Sequence, residues 1–136
     1  MGHYARVDRG VVQEVIVAED DYIENTVFEK PGNWVKCSYN TYGGVHYASL
    51  SEWIPSDDQS KALRKNFPSI GWIYDEVGFY PPKHLFPNSF ILDTEKYQWV
   101  APKERPDDGQ KYIWNEDSLN WEVLPEDDAW MDSYTR

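Results

Sequence analysis

Tyr112-Ile113-Trp114-Asn115, answered after a short polar turn by Trp121-Glu122-Val123-Leu124-Pro125, is the third appearance of one pattern in this chain. Phe90-Ile91-Leu92-Asp93 with Trp99-Val100-Ala101-Pro102-Lys103 is the second, and Trp72-Ile73-Tyr74-Asp75 with Phe79-Tyr80-Pro81-Pro82-Lys83 the first. Each unit runs aromatic, Ile, apolar residue, Asp or Asn, then a turn, an aromatic and a proline. Six residues separate Asp93 from Trp99 and Asn115 from Trp121; four separate Asp75 from Phe79. Recurrence of this kind marks a supersecondary unit used repeatedly, and the unit is a β-hairpin. The Asp or Asn caps the turn through its own backbone. The aromatics pair across the ladder, where such pairs contribute about 0.2–1 kcal/mol. The proline stops the returning strand because it has no N–H to donate. A lone hairpin is marginal in water, so the three must pack on one another or on a neighbour. Pro81-Pro82, Pro87 and Pro106-Asp107-Asp108-Gly109 are the connectors.

Upstream, His3 to Ala18 reads as another hairpin, turning at Arg9-Gly10, with Val11 to Val17 as a β-branched return strand. Strict alternation puts Val11, Val15 and Val17 on one face, with Gln13 the polar exception. Glu19 to Phe28 reads as one or two helical turns behind an N-terminal carboxylate cap, stopped by Pro31-Gly32. Trp34 to Tyr39 resumes a strand, Trp34, Lys36 and Ser38 opposed to Val35, Cys37 and Tyr39. Regular structure is hard to find between Asn40 and Lys65: Gly43-Gly44 reads as a flexible bend, and Ser56 with Gln59 as the opening of a short helix through Arg64. A structureless segment of this length points to a functional loop or interaction arm.

Composition agrees with short strands and many turns. Seven Trp, ten Tyr and five Phe supply the apolar bulk, and each buried ring removes roughly 150–250 Å² from water. The mean hydropathy of −0.74 shows that these rings are spread through a polar chain. Thirteen Lys and Arg against 24 Asp and Glu leave a net charge of −11. That field repels a phosphate backbone and an anionic membrane surface, which removes nucleic acid and membrane from the expected partners. Cys37 is alone, so no intramolecular disulfide and no cysteine metal site are expected, and the thiol reads as buried on a strand. No apolar run reaches the roughly 18 residues of a spanning helix. The N-terminus lacks the apolar core of a signal peptide, so synthesis in a cytoplasm is expected.

Chemistry-bearing motifs are sparse. His3, His46 and His84 fall in a terminal strand, a Gly-rich loop and a Pro-rich connector, with no shared ligand spacing. The carboxylate pairs Asp20-Asp21, Asp57-Asp58, Asp107-Asp108 and Asp127-Asp128 lie in turns and tails, where solvated charge is the plain reading. A glycosidase would instead need two carboxylates facing each other across a cleft. No nucleophile elbow, phosphate-cradling loop or dinucleotide fingerprint occurs. The inventory points away from an enzyme and names no cofactor and no metal. Two binding features remain. Tyr39, Tyr42, Tyr47 and Trp53 flank the central loop, where rings beside polar groups suit a sugar or a partner protein, and His46 adds a titratable ring in the Gly-rich stretch; the competing reading is that the rings roof the core. Trp130 and Tyr134 ride an acidic C-terminal tail able to wedge into a neighbouring subunit.

The run Ala62-Leu63-Arg64-Lys65-Asn66-Phe67-Pro68-Ser69-Ile70-Gly71 leading into the first hairpin resembles a family of short proteins of marine tailed bacteriophages, cyanophages among them. So do Trp99-Val100-Ala101-Pro102, Pro106-Asp107-Asp108-Gly109 with Tyr112-Ile113-Trp114-Asn115-Glu116, Val12 to Val17, Trp34 to Asn40, and Gly43-Gly44-Val45-His46-Tyr47. The resemblance covers most of the chain and brings no catalytic motif. The chain departs from the pattern at Asn88-Ser89-Phe90, where a Ser-Trp pair is usual, and in its Trp-Met-Asp-Ser-Tyr tail. The resemblance implies a virion component, made in the host cytoplasm: a capsid decoration subunit or small tail-associated subunit. Its partners would be major capsid or tail proteins of the same particle and further copies of itself.

The expected fold is mainly β, built of consecutive antiparallel hairpins with one or two short helices and extended terminal arms. Residues 1–66 hold the N-terminal hairpin, short helix and long loop; 67–125 hold the three aromatic hairpins; 126–136 form the acidic tail. The expected function is a structural accessory of a tailed-phage particle acting by protein–protein assembly. The alternative is a carbohydrate-binding module for host surface glycan, which predicts an exposed coplanar row of Trp or Tyr.

Overall fold

The computed structural model describes residues 2–124, and they form a mainly β protein of antiparallel hairpins with one short α-helix. Strands β1 (Gly2–Asp8) and β2 (Val11–Ala18) make the first hairpin. Arg9 and Gly10 both have positive φ, 54° and 78°, the two-residue turn whose twist matches that of the flanking strands. The ladder is not regular throughout. Arg6 pairs with Glu14 and Val7 with Val12, so Gln13 is an extra, bulged residue. A bulge reverses which residues face inward beyond it. It is therefore Val12, 1% exposed, and not Val11 that joins Val15 at the core, while Val17 farther along the same face is 55% exposed. The strict alternation expected from the sequence is corrected at this one residue.

Helix α1 (Asp20–Asn25) follows, then β3 (Asn33–Cys37), which pairs with β1. The carboxylate of Asp20 does not serve the helix end. It turns to the sheet, accepting from the Tyr4 hydroxyl and from Lys36 Nζ. Beside it Arg6 donates through Nε to Glu14 at 2.8 Å and through Nη1 to the Pro31 carbonyl at 2.8 Å. Phe28 packs on Trp34 at 5.1 Å, closing this side of the sheet. The connection lies so close that a Cβ on Gly32, at φ 109°, would sit 2.4 Å from the Val7 carbonyl oxygen. The opposite side carries the core: Ala5, Val7, Val12, Cys37, Tyr74 and Phe79.

The segment expected to be a long loop is a small sheet of its own: β4 (Thr41–Tyr42), β5 (Val45–Ser49) and β6 (Ile54–Pro55). Gly43 and Gly44, at φ 59° and 83°, are not a flexible bend but the tight turn between β4 and β5. Only a 3₁₀ turn, Gln59–Lys61, forms where a helix through Arg64 was expected. Arg64 and Lys65 both take positive φ, which ends any helix there.

The repeated units are the hairpins that their pattern predicts. Strands β7 (Ile73–Tyr74) and β8 (Phe79–Tyr80) join the main sheet through Val11 and Ile73, giving the order β3-β1-β2-β7-β8. The pairs β9 (Ile91–Asp93) with β10 (Gln98–Val100), and β11 (Tyr112–Asn115) with β12 (Asn120–Val123), are separate two-stranded ribbons. All three turns are capped alike. Asp75 Oδ1 accepts from the N–H groups of Val77 and Gly78, Asp93 Oδ1 from Glu95 and Lys96, and Asn115 Oδ1 from Asp117 and Ser118. The residue facing the returning aromatic is the third of each unit, not the first: Tyr74 opposes Phe79, Leu92 opposes Trp99, and Trp114 opposes Trp121.

A chain of rings replaces a conventional core in this half. It passes from Tyr80 to Trp99 at 6.1 Å, to Phe86 and Phe90 at 6.4 Å each, then to Trp114 at 5.8 Å and Trp121 at 5.2 Å. The indole N–H of Trp99 donates to the Pro81 carbonyl and that of Trp121 to the Lys103 carbonyl, each 18 residues back. The same donor thus docks each ribbon on the connector that precedes it.

The bulge has a direct mutational consequence. Val12→Ala, which empties a buried site, is expected to cost roughly 2 kcal/mol, whereas Val11→Ala should cost under about 1 kcal/mol. Urea unfolding of the two variants checks this; equal losses, or the reverse order, would show that Gln13 is not the extra residue.

Candidate functional site

The tight Gly43-Gly44 turn brings Tyr42 to the end of β4 and Val45 and Tyr47 to the same face of β5, opposite β6. Trp53 precedes β6 with φ 53° and 60% of its surface exposed. Large aromatics are usually well buried, so an indole presented in this way is a distinctive feature. Tyr47 approaches it at 5.2 Å and 82°, Tyr42 at 6.4 Å and 78°. The rings form a right-angled corner, not the coplanar row that a flat glycan platform predicts. With Gly43, Val45 and, from the second ribbon, Lys96 and Gln98, they line a cleft of about 350 Å³.

That cleft exists because two distant parts of the chain are tied together. Asn66 is 2% exposed. Its Oδ1 accepts from Gly43 N–H at 2.9 Å, and its Nδ2 donates to the carbonyls of Phe79 at 2.9 Å and Tyr97 at 3.0 Å. One side chain therefore joins the small sheet, the first repeat hairpin and the second. Lys65 Nζ adds a bond to the Glu95 carbonyl at 2.9 Å, and Phe67 N–H bonds the Thr41 carbonyl at 2.8 Å. Between the hairpins the Tyr97 hydroxyl donates to Asp75 Oδ2 at 2.8 Å. Burial pushes the Asp75 carboxyl up, but bonds from Gly78 N–H, the Tyr97 hydroxyl and Val77 N–H outweigh it and hold the group below its ordinary value.

His46 lies on the other face of β5, away from the cleft, so the structure separates it from the three rings. Its Nδ1 is 2.7 Å from Ser56 Oγ. Ser56 Oγ also reaches the Asp58 carbonyl and accepts from Gln59 Nε2, whose amide donates to the His46 carbonyl as well. The Asp58 carboxylate is bonded to Ser60, not to the imidazole. The pair serves as a local brace between β5 and the 3₁₀ turn. His3 packs between Tyr39 and Phe67, and His84 is exposed on a second 3₁₀ turn. Among the described residues no group of three His, Cys, Asp or Glu is placed to hold a metal ion, and no helix is long and apolar enough to cross a membrane. Trp130 and Tyr134 lie outside the described residues.

Sequence reasoning gathered Tyr42, Tyr47 and Trp53 but missed Lys96, Gln98 and Asn66. The Gly-Gly dipeptide between two alternating runs was the available signal for the β4–β5 hairpin. Nothing local distinguishes Asn66, whose partners lie 13 to 31 residues away. No family model, no curated protein and no solved structure matches the chain.

Two outcomes are expected. Asn66→Ala leaves two buried carbonyls and one N–H without partners, at about 1–3 kcal/mol for each such group; an overall loss of roughly 3 kcal/mol in urea unfolding is expected, and a loss under about 1 kcal/mol would show that the clasp is dispensable. The second concerns high pH. Burial raises the Cys37 thiol from 9.0 to about 12, against the nearby Arg64 charge. Burial and bonds to Asp20 and Asp75 raise Tyr4 and Tyr97 from 10.0 to about 12. Folded values above the unfolded ones stabilise the protein fully below pH 9, and that contribution is lost as pH rises through about 12. Urea midpoints measured across this window should fall, and fall less steeply in Tyr97→Phe.

Proposed function

We propose that this protein is a non-enzymatic assembly subunit, a structural accessory of a tailed-phage particle that acts by binding capsid or tail proteins of the same particle. The observation that carries the reading is the outer face of the two free ribbons. Ile91 and Val100 stand directly opposite each other, 58% and 37% exposed, and Ile113 on the next ribbon is 49% exposed. The inner faces already hold Trp99, Trp114 and Trp121. These apolar side chains share their faces with Asp93 and Gln98 on one ribbon and Glu122 on the other, the mixed apolar and polar character of a protein interface, and a protein partner is what covers such a face in a many-copy particle. The resemblance to short phage proteins supplies the particle; the net charge of −11 keeps so aromatic a chain soluble until it docks and argues against nucleic acid or an anionic membrane as the partner. Copies of the chain would be arranged by the particle's own symmetry.

Quantitative mass spectrometry of purified particles of the phage carrying the protein tests the proposal. Hundreds of copies beside the major capsid protein would place it on the head, and a few to a few dozen on the tail. Absence from the particle overturns the reading. The double substitution Ile91→Lys, Val100→Lys should leave the fold intact, since both sites are exposed, and abolish incorporation.

A further inference from the structure

Beyond assembly, we propose that the corner formed by Tyr42, Tyr47 and Trp53 is a carbohydrate subsite that takes one pyranose residue of a glycan. A sugar ring has a C–H face and a rim of hydroxyls, and the cleft has the matching division. Its walls are aromatic and meet at right angles, so the C–H face of a ring can rest on one wall while its edge meets another. Its rim is polar and unspent: the Lys96 ammonium, the Gln98 amide, the Tyr42 and Tyr47 hydroxyls and the Trp53 indole N–H line the cleft and have no hydrogen-bond partner among the described residues. Of the other indoles, those of Trp99, Trp114 and Trp121 are bonded within the protein, while that of Trp34 is buried without a partner. The volume of about 350 Å³ lies at the low end of small-molecule sites, roughly 300–1,000 Å³.

Competing ligands fit less well. An alkylammonium group favours an aromatic corner, but Lys96 at the rim repels it. A nucleotide would bring phosphates toward a chain of charge −11. A proline-rich strand docks along an extended aromatic groove, whereas this site is a single corner of three rings with Lys96 and Gln98 at its rim. The subsite spans the Asn66 clasp, since Tyr42, Tyr47 and Trp53 come from the small sheet and Lys96 and Gln98 from the second ribbon. It is thus built by the tertiary fold and is not a feature of one loop.

The test is a heteronuclear NMR titration of the full chain with methyl glycosides of glucose, galactose, mannose and N-acetylglucosamine at millimolar concentrations, beside a glycan array. At least one glycoside should shift the Trp53 indole and Gln98 amide signals. Trp53→Ala, at an exposed site, should weaken binding at least about tenfold, and Gln98→Ala should weaken it severalfold with the rest of the spectrum unchanged. No shift with any glycoside together with a blank array overturns the proposal. Binding that survives Trp53→Ala overturns the site, and shifts produced only by a control proline-rich peptide assign the corner to protein recognition instead.

Discussion

The carboxamide of Asn66 is the constraint on which the arrangement of this protein depends. It accepts from the Gly43 N–H and donates to the carbonyls of Phe79 and Tyr97, so three separately folded hairpins share one buried group. A buried amide is stable only when its donors and acceptor are all matched. Displacing any one of the three hairpins would leave polar atoms unpaired in the interior. The positions of the small sheet and of the second ribbon are therefore set together, and the cleft between them follows.

Two parts of the chain are held by different physics. The N-terminal hairpin, β3 and the first repeat hairpin share an ordinary apolar layer under a five-stranded sheet, with Ala5, Val12 and Phe79 almost wholly out of water. The second and third repeat hairpins lack such a layer. These ribbons are joined by ring contacts in series, by indole bonds to preceding connectors, and by Lys83, whose Nζ bonds the Asn88 and Phe90 carbonyls and lies 4.9 Å from the Trp99 ring centre. Glu116 fastens the last two ribbons, accepting from Ser89 and from the Trp114 indole. Ribbons tied at one face leave the other face open, which is the face that the proposed assembly role uses.

The two proposed surfaces meet on the second ribbon. The assembly reading uses the outer faces of the ribbons at Ile91, Val100 and Ile113; the sugar reading uses the corner at Trp53. Gln98 lines the corner and, two residues before Val100 on β10, lies on the same outer face.

What the sequence by itself determined is local. The three repeat hairpins were legible because Asp75, Asp93 and Asn115 cap their own turns two and three residues ahead. The first hairpin, the short helix near Asp20 and the burial of Cys37 were equally legible. The Gly43-Gly44 hairpin was present in the pattern, although glycines read as flexibility conceal a turn that fixes both φ angles positive. Tertiary structure alone decided the rest. The bulge at Gln13 follows from pairing with β1, which lets Val12 into the core and turns Gln13 out. The cross-strand partner of each returning aromatic depends on register, which composition does not reveal. Asn66, Lys96 and Gln98 acquire their roles only when residues far apart in the chain meet, because hydrogen bonding and burial depend on neighbours in space and not on neighbours in sequence.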